Sequence, residues 1–420
     1  MGRRHLIVIS VDALVYEDIA DTKDLPLFGE LIRNGSLTKN VRTIYPSLTH
    51  PVHASILTGH PAGSTGITAN TVFTPGEKDM PWYNRLSEIQ CKTIFDYTRE
   101  AGLVTAVCHW PVTADAVDKI DYLVPELMAE DLKKAGGDVI KAFCDIGMNE
   151  CLKDVMAAAI AKHGCSLSHP VCDEVQSECA CEIVRRFKPD ILFTHPGFVD
   201  SERHRTGLFS PYVTAAVRKT EAWIEALMQA AKDAGIYDDT DFIVLSDHGH
   251  LPYTKTVKLN RYLLDAGLIR TDPNGSVSDW DAYAQSCDLS AHLYLKRPDD
   301  EDLKKRVDKV IGSWLSNPGS GVGSCMDPVE SEARCGLWGT FSYVLEAAEG
   351  FCFSDDWEGE AVTDAPPVEE GLGHSAHGHL PEKGPQPVFI GYGPDFEKGE
   401  IIEGGNVLNH FHTLIRLLGL

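Results

Sequence analysis

The chain has 420 residues, and its 62 acidic against 38 basic side chains give a formal charge of -24. That length exceeds what one hydrophobic core usually serves, so a large domain carrying an insertion or second lobe is expected. The charge repels polynucleotide backbones and anionic membranes, which excludes long nucleic acid and a membrane surface as partners.

At the start, Met1-Gly2-Arg3-Arg4-His5 is basic, but the apolar run after it stops at Asp12 and is too short for a secretion signal. Gly2 fails as a myristoylation acceptor because Leu6 stands where that motif needs Ser or Thr. No apolar run is long enough to span a membrane, and the protein is expected to be cytoplasmic. Asn34-Gly35-Ser36 and Asn274-Gly275-Ser276 then read as turns rather than glycosylation sites. The twelve cysteines read as reduced thiols. Six of them, Cys144, Cys151, Cys165, Cys172, Cys179 and Cys181, share one segment, where only Cys179-Ala180-Cys181 suggests a structural metal.

Short apolar runs at 6–11, 104–107, 191–193, 242–245 and 388–390 are each followed by a turn and a helix-like stretch. This predicts an α/β fold with a mostly parallel central sheet flanked by helices. Between the third and fourth runs Ser210 and Pro211 signal a helix start, Val213, Val217, Thr220, Ile224 and Leu227 repeat at helical spacing, and Gly235 closes it. Residues 257–371 break the alternation and are assigned to an inserted α+β lobe, with an amphipathic piece at 302–315 and an acidic, turn-rich end at 354–370. The catalytic core is then 1–256 together with 372–420.

Ligands of such sheets gather beyond the carboxyl ends of the strands, and there the sequence concentrates acids and histidines. Asp12 ends the first run, and Asp247 and His248 follow the fourth, before Gly249. Asp200 and His204 are four apart, on one side of a helical turn. His377 lies among His374, His377 and His379, just before the last run. Two His with one Asp, and two Asp with one His, would make two neighbouring metal sites with open positions, as catalytic zinc requires. Two such ions roughly 4 Å apart suit phosphoryl transfer, and they offset the repulsion that an acidic site imposes on a small phosphate ester. Pro51 and Gly59 bracket a short helix whose N-terminus holds Thr49, the candidate nucleophile, with Ser47 and Ser55 as rival hydroxyls.

Taken in order, Val11-Asp12, the segment from Tyr45-Pro46 to Thr58-Gly59, Gly102 to Pro111, Asp200-Ser201 to His204, Ser246-Asp247-His248-Gly249, and His377-Gly378 with Phe389 to Pro394 resemble the nucleotide pyrophosphatase/phosphodiesterase family of the alkaline phosphatase superfamily. The resemblance implies an alkaline phosphatase-like fold and two zinc ions, one held by Asp200, His204 and His377, the other by Asp12, Asp247 and His248. Thr49 then ligates the second ion and attacks a small phosphate ester, giving a phospho-threonine that water hydrolyses. One departure stands out: the family's asparagine three residues after the nucleophile is Val52 here, which leaves His50, His109 and His250 as replacement donors to the phosphoryl group. A phosphomonoesterase or phosphonate hydrolase on the same metal core, or a non-catalytic metal-stabilised binding protein, is the alternative; Thr49 argues against a sulfatase, which needs a Cys or Ser.

Overall fold

The computed structural model describes residues 4–420, so the Gly2 reading lies outside the described residues. Eight strands make the central sheet: β1 His5–Ser10, β2 Ser36–Thr38, β3 Thr105–Cys108, β4 Tyr122–Val124, β5 Ile191–Thr194, β6 Thr240–Leu245, β7 Phe389–Tyr392 and β8 Glu400–Ile402. Their order is β8-β2-β7-β6-β1-β5-β3-β4. Strands β4, β3, β5, β1 and β6 run parallel, with Val8 facing Phe193 on one side and Ile243 on the other. β7 runs antiparallel to β6 and β2, because the chain already stands at the carboxyl edge of the sheet at His377 and must run back along it.

Every residue of β1 is buried. Leu6 and Val8 join one hydrophobic cluster, Ile7 and Ile9 the other, since successive strand side chains point to opposite faces. A strand covered on both faces therefore reads as an unbroken apolar run. One face is covered by α1 Thr49–Thr58, through Val52, Ile56 and Leu57, and by the C-terminal helix Leu408–Leu418, through Phe411 and Leu414. The other is covered by α2 Val171–Phe187 and, after α3 Phe198–Thr206, by α4 Pro211–Asp233, which contributes Val213, Val217, Ile224 and Leu227. Each such burial stabilises the fold by roughly 1.5–3 kcal/mol. As predicted, α4 opens with the Ser210 Oγ accepting from Val213 N (3.2 Å) and Pro211 in its first turn. Cys179 and Cys181 are buried core residues of α2, and among the described residues neither joins a group able to hold a metal.

Residues 282–347 form a four-stranded antiparallel sheet, Ala282–Cys287, Ser290–Leu295, Tyr343–Ala347 and Val322–Met326 in spatial order. The helix Glu301–Leu315 joins its core through Leu303, Val307, Ile311 and Trp314. A smaller sheet is built on Leu251–Lys258, which pairs with Gly350–Ser354, Val362–Asp364 and His374–Ala376 and so delivers the chain to His377. The turn expected at 34–36 is instead a helix-to-strand joint, because Pro26–Asn34 is helical and Ser36 opens β2. Gly275, at φ +85, does sit in a turn.

Candidate active site and metal centre

Three neighbouring parallel strands, β5, β1 and β6, end at one edge of the sheet, and each exit carries acids or histidines. Asp12 lies two residues beyond β1. Ala13 follows in a left-handed conformation, φ +55, and its N–H donates to Asp247 Oδ1 (3.1 Å), which also accepts from His248 N (3.0 Å). Asp247 Oδ1 is thus held, while the buried Oδ2 has no hydrogen-bond partner and lies 3.3 Å from His248 Nε2. Asp12 Oδ1 is likewise unpartnered, 3.5 Å from the same nitrogen. Thr49, in the first turn of α1, brings its Oγ to within 3.3 Å of His248 Nε2. Burial, then the neighbouring carboxylates Asp200 and Asp247, push the Asp12 carboxyl well above its ordinary range.

Beside this group, Asp200 and His204 stand one turn apart on α3, with Asp200 Oδ2 3.5 Å from His204 Nε2. His377 Nε2 approaches Asp200 Oδ1 to 3.9 Å, and His250 Nε2 to 2.7 Å. Ligand atoms of these four residues all lie within 4.8 Å of one another, and those of Asp12, Asp200 and His248 do so too, which joins the two halves. Burial works to raise the Asp200 pKa, yet His204, His250 and His377 together hold it well below the ordinary range. Burial pushes His250 down to about 3, and burial with His248 alongside depresses His377. The helix carrying Asp200 is fastened to the Asp12 loop by fully buried Arg203, whose Nε donates to the Ala13 carbonyl (3.0 Å) and whose guanidinium pairs with Asp18. At its start, Gly197 N donates to buried Asp173 (2.7 Å).

These residues fit divalent metal. Three carboxylates so close cannot all ionise without a compensating cation, two of their buried oxygens have no partner, and mixed imidazole and carboxylate donors suit zinc. Two glycines make the convergence sterically possible. A Cβ on Gly249 would stand 2.1 Å from the Pro385 carbonyl oxygen, and one on Gly378, at φ +83, 1.9 Å from that of Cys287.

All seven residues singled out from the sequence meet here, and Thr49, Asp12, Asp200, His204 and His377 line one cavity of about 680 Å³. Of the rival hydroxyls, Ser47 donates to the His379 carbonyl (2.9 Å), and neither Ser47 nor Ser55 lines that cavity. Of the three clustered histidines only His377 reaches the site, since His374 and His379 bond to the carbonyls of Pro366 and Leu380. Val52 packs into the hydrophobic cluster. Among its expected replacements, His250 sits against Asp200, and His50 Nε2 lies 3.4 Å from Glu126. Burial works to raise Glu126, but the His50 imidazole beside it, with His109 and His195 around it, holds it at about 2. His109, at φ +64, lines the same cavity.

Sequence reasoning missed His195 and Arg203. His195 directly follows β5, and its buried Nε2, without a hydrogen-bond partner, stands 3.3 Å from Asp12 Oδ2; burial pushes its pKa down to about 4. The strand-exit rule that found Asp12 and Asp247 applies to it equally. Arg203 gave no such signal, because nothing local distinguishes a buried arginine from an exposed one.

Residues 6–328 match the family described as Type I phosphodiesterase / nucleotide pyrophosphatase. The chain is 25% identical over 259 residues to ectonucleotide pyrophosphatase/phosphodiesterase family member 1 of Mus musculus and 24% identical to that of Homo sapiens, in each case over 59% of this chain and 24% of the relative. It thus spans about a quarter of the length of these curated relatives. Murine ectonucleotide pyrophosphatase / phosphodiesterase 5 superposes with a TM-score of 0.66 at 18% identity, covering 99% of this chain and 95% of that one. The human counterpart gives 0.68 at 17%, with the same coverage. An inactive threonine-to-alanine variant of the murine protein in complex with AMP gives 0.66 at 18%, covering 100% of this chain and 96% of that one. These likenesses establish an alkaline phosphatase-like α/β fold. Because the matched stretch carries six of the eight central strands and the exits of β1, β5 and β6 with their acids and histidines, the chain belongs to the Type I phosphodiesterase / nucleotide pyrophosphatase family, within the alkaline phosphatase superfamily.

Proposed function

We propose that the protein hydrolyses small phosphoric diesters or nucleotide pyrophosphates, with Thr49 as nucleophile and two divalent metal ions, zinc by the chemistry of their donors, as cofactors. The observation that carries this reading is the convergence of Thr49 Oγ and Asp12 on His248 Nε2, at 3.3 and 3.5 Å, at the carboxyl edge of the sheet. Asp12, Thr49, Asp247 and His248 would hold one ion; Asp200, His204 and His377 would hold the other. When bound, the ions lower the pKa of the threonine hydroxyl and neutralise charge on the phosphoryl group.

The protein's own residues do the rest. The first turn of α1 places the developing threonine alkoxide at the positive end of a helix dipole. Thr49 Oγ, its proton passing to solvent, bonds to phosphorus as the bond to the leaving alcohol breaks, and the alcohol departs with that electron pair and takes a proton from water. A water molecule then attacks the phospho-threonine, the phosphorus–Oγ bond breaks, and the Thr49 hydroxyl is restored. His250, 2.7 Å from Asp200, orients that carboxylate. A cavity of about 680 Å³ has the size of a nucleotide site, and AMP in the complex of the murine relative supports a nucleotide-bearing substrate. A cytoplasmic setting is part of the reading, since all twelve cysteines are unpaired, the state a reducing compartment maintains.

The test is hydrolysis of a bis-aryl phosphate against an aryl monophosphate with zinc added, for wild type and Thr49→Ala. Diester turnover that Thr49→Ala abolishes is expected. Preference for the monoester would move the reading to a phosphomonoesterase, full activity of Thr49→Ala would remove the nucleophile, and two bound metals with no turnover of any ester would favour a binding protein.

A further inference from the structure

The start of α2 brings a different kind of group to the cavity that holds Thr49. His169 stands two residues before that helix, and Cys172 and Asp173 lie in its first turn. His169 and Cys172 line the cavity, whereas Asp173 is buried and does not. His169 Nδ1 lies 2.5 Å from Asp173 Oδ2 and 3.3 Å from Cys172 Sγ. Ligand atoms of the three residues all fall within 4.8 Å of one another. Two ligands of one tetrahedral zinc, however, each about 2 Å from the ion, stand roughly 3.3 Å apart. At 2.5 Å the nitrogen and the oxygen hold a proton between them instead. Burial works to lower the His169 pKa, yet the hydrogen bond to Asp173 and the Cys172 thiol alongside hold it up at about 11. Burial pushes the Cys172 thiol up, so that side chain stays neutral. The ring is thus an imidazolium whose Nδ1–H is given to Asp173. Its Nε2–H is the donor left over, without a hydrogen-bond partner among the described residues.

The cavity wall has little else to offer an anion. Asp12, Glu126, Asp200, Asp288 and Asp355 line it, and no lysine or arginine does. A leaving group with phosphates of its own therefore needs a donor beyond the metal sites. In-line attack puts the leaving oxygen on the side of phosphorus opposite Thr49 Oγ. Thr49 Oγ belongs to the deep half of the site, and the outer half is built on α3 through Asp200 and His204. His169 packs against the turn that opens α3, so closely that a Cβ on Gly197 would stand 2.7 Å from its Cε1. Gly197 N also donates to Asp173 Oδ1, which ties the pair to that turn.

We propose, on the reading that Thr49 attacks phosphorus, that the substrate is a nucleotide pyrophosphate and that His169 Nε2 donates to a phosphate oxygen of its leaving group. Thr49 Oγ bonds to the α-phosphorus, and the bond from that phosphorus to the bridging oxygen breaks. The bridging oxygen keeps the electron pair and departs with the rest of the phosphate chain. The imidazolium meets that charge with a hydrogen bond and gives up no proton. An uncharged leaving alcohol has no use for it.

Zinc-loaded wild type, His169→Ala, His169→Gln and Thr49→Ala are compared on two substrates that deliver the same adenylyl group to Thr49. One is adenosine triphosphate, whose leaving group is pyrophosphate; the other is the p-nitrophenyl ester of AMP, whose leaving group carries no phosphate. Free zinc is held constant, and thermal melting is followed alongside. His169→Ala is expected to lose about 10–100-fold in kcat/KM on the triphosphate and to stay within about threefold of wild type on the ester, because only the triphosphate loses a hydrogen bond between charged groups. His169→Gln, which keeps a neutral amide donor, is expected to fall between the two on the triphosphate and to match wild type on the ester. If His169→Ala melts early, His169→Gln decides by the same comparison. Equal losses on both substrates in a variant that melts with wild type would overturn the proposal, and so would wild-type turnover of the triphosphate in both variants. Zinc bound at His169, Cys172 and Asp173 would overturn it as well. A wild type that cleaves the ester but not the triphosphate would overturn it and leave the parent reading standing. A wild type inactive on both, or a fully active Thr49→Ala, would remove the parent reading and this one with it.

Discussion

Asp12 and Asp200 are carboxylates at the same edge of the same sheet, yet their surroundings act on them in opposite directions. Asp12 is buried with Asp247 and Asp200 nearby, and its carboxyl is pushed well above the ordinary range. Asp200, at the mouth of the cavity with 16% of its side chain exposed, is ringed by His204, His250 and His377 and held well below that range. The deep half thus concentrates carboxylates whose charge a proton or a bound cation relieves, and the outer half pairs one carboxylate with three imidazoles. Burial alone does not set the charge of a site; the neighbours decide whether burial is resisted or reinforced.

The sharpest way to break this comparison is at the deep half. Thr49→Ala is expected to lower kcat for a phosphate diester by about a thousandfold or more while metal content, read by elemental analysis, stays at the wild-type level. Loss of metal together with activity would make Thr49 chiefly a ligand. Next, Asp247→Asn should weaken the deep site and His204→Ala the outer one, each by more than the roughly 10–100-fold that loss of a supporting residue costs; competition with a chelator reads this, and equal effects of both variants on both sites would dissolve the distinction between the halves. His250→Ala is expected to cost about 10–100-fold in affinity at the outer site alone, since His250 touches Asp200 and no carboxylate of the deep half. Unchanged binding would leave that contact without consequence.

The smallest effect concerns the wall that the lobe supplies. Burial raises Asp355 to about 7, although its carboxylate accepts from Ser286 N at 2.6 Å. An unfolded aspartate titrates near 3.9, so the folded state binds this proton more tightly. The resulting stability is fully present below about pH 4 and is lost as pH rises through about 7. Asp355→Asn keeps the acceptor and removes the titration, so its melting temperature should gain on wild type between about pH 4 and pH 8. A difference that stays flat across that window would contradict the assignment.

Much of the fold was legible because strands buried on both faces are unbroken apolar runs: β1, β3, β5, β6 and β7 were all marked that way. β2, β4 and β8 have three residues each, too few to show either a run or an alternation. The direction of β7 was hidden, since it depends on where the lobe returns the chain. In the site, Asp12, Asp247 and His248 stood out by following such runs, and Asp200 and His204 by their spacing on one helix turn. His377 was one of three histidines in a loop, and only the pairing of His374–Ala376 with Leu251–Lys258 shows which of them turns inward. Arg203 could not be read at all: its buried guanidinium meets the Ala13 carbonyl, 190 residues away in the chain.

The central claim is that two metal sites lie side by side, one deep and one at the mouth. Anomalous scattering at the zinc edge from crystals grown with zinc tests it most directly. Two peaks are expected, one among Asp12, Thr49, Asp247 and His248, the other among Asp200, His204 and His377. A single peak, or zinc held instead by Cys179 and Cys181, would contradict it.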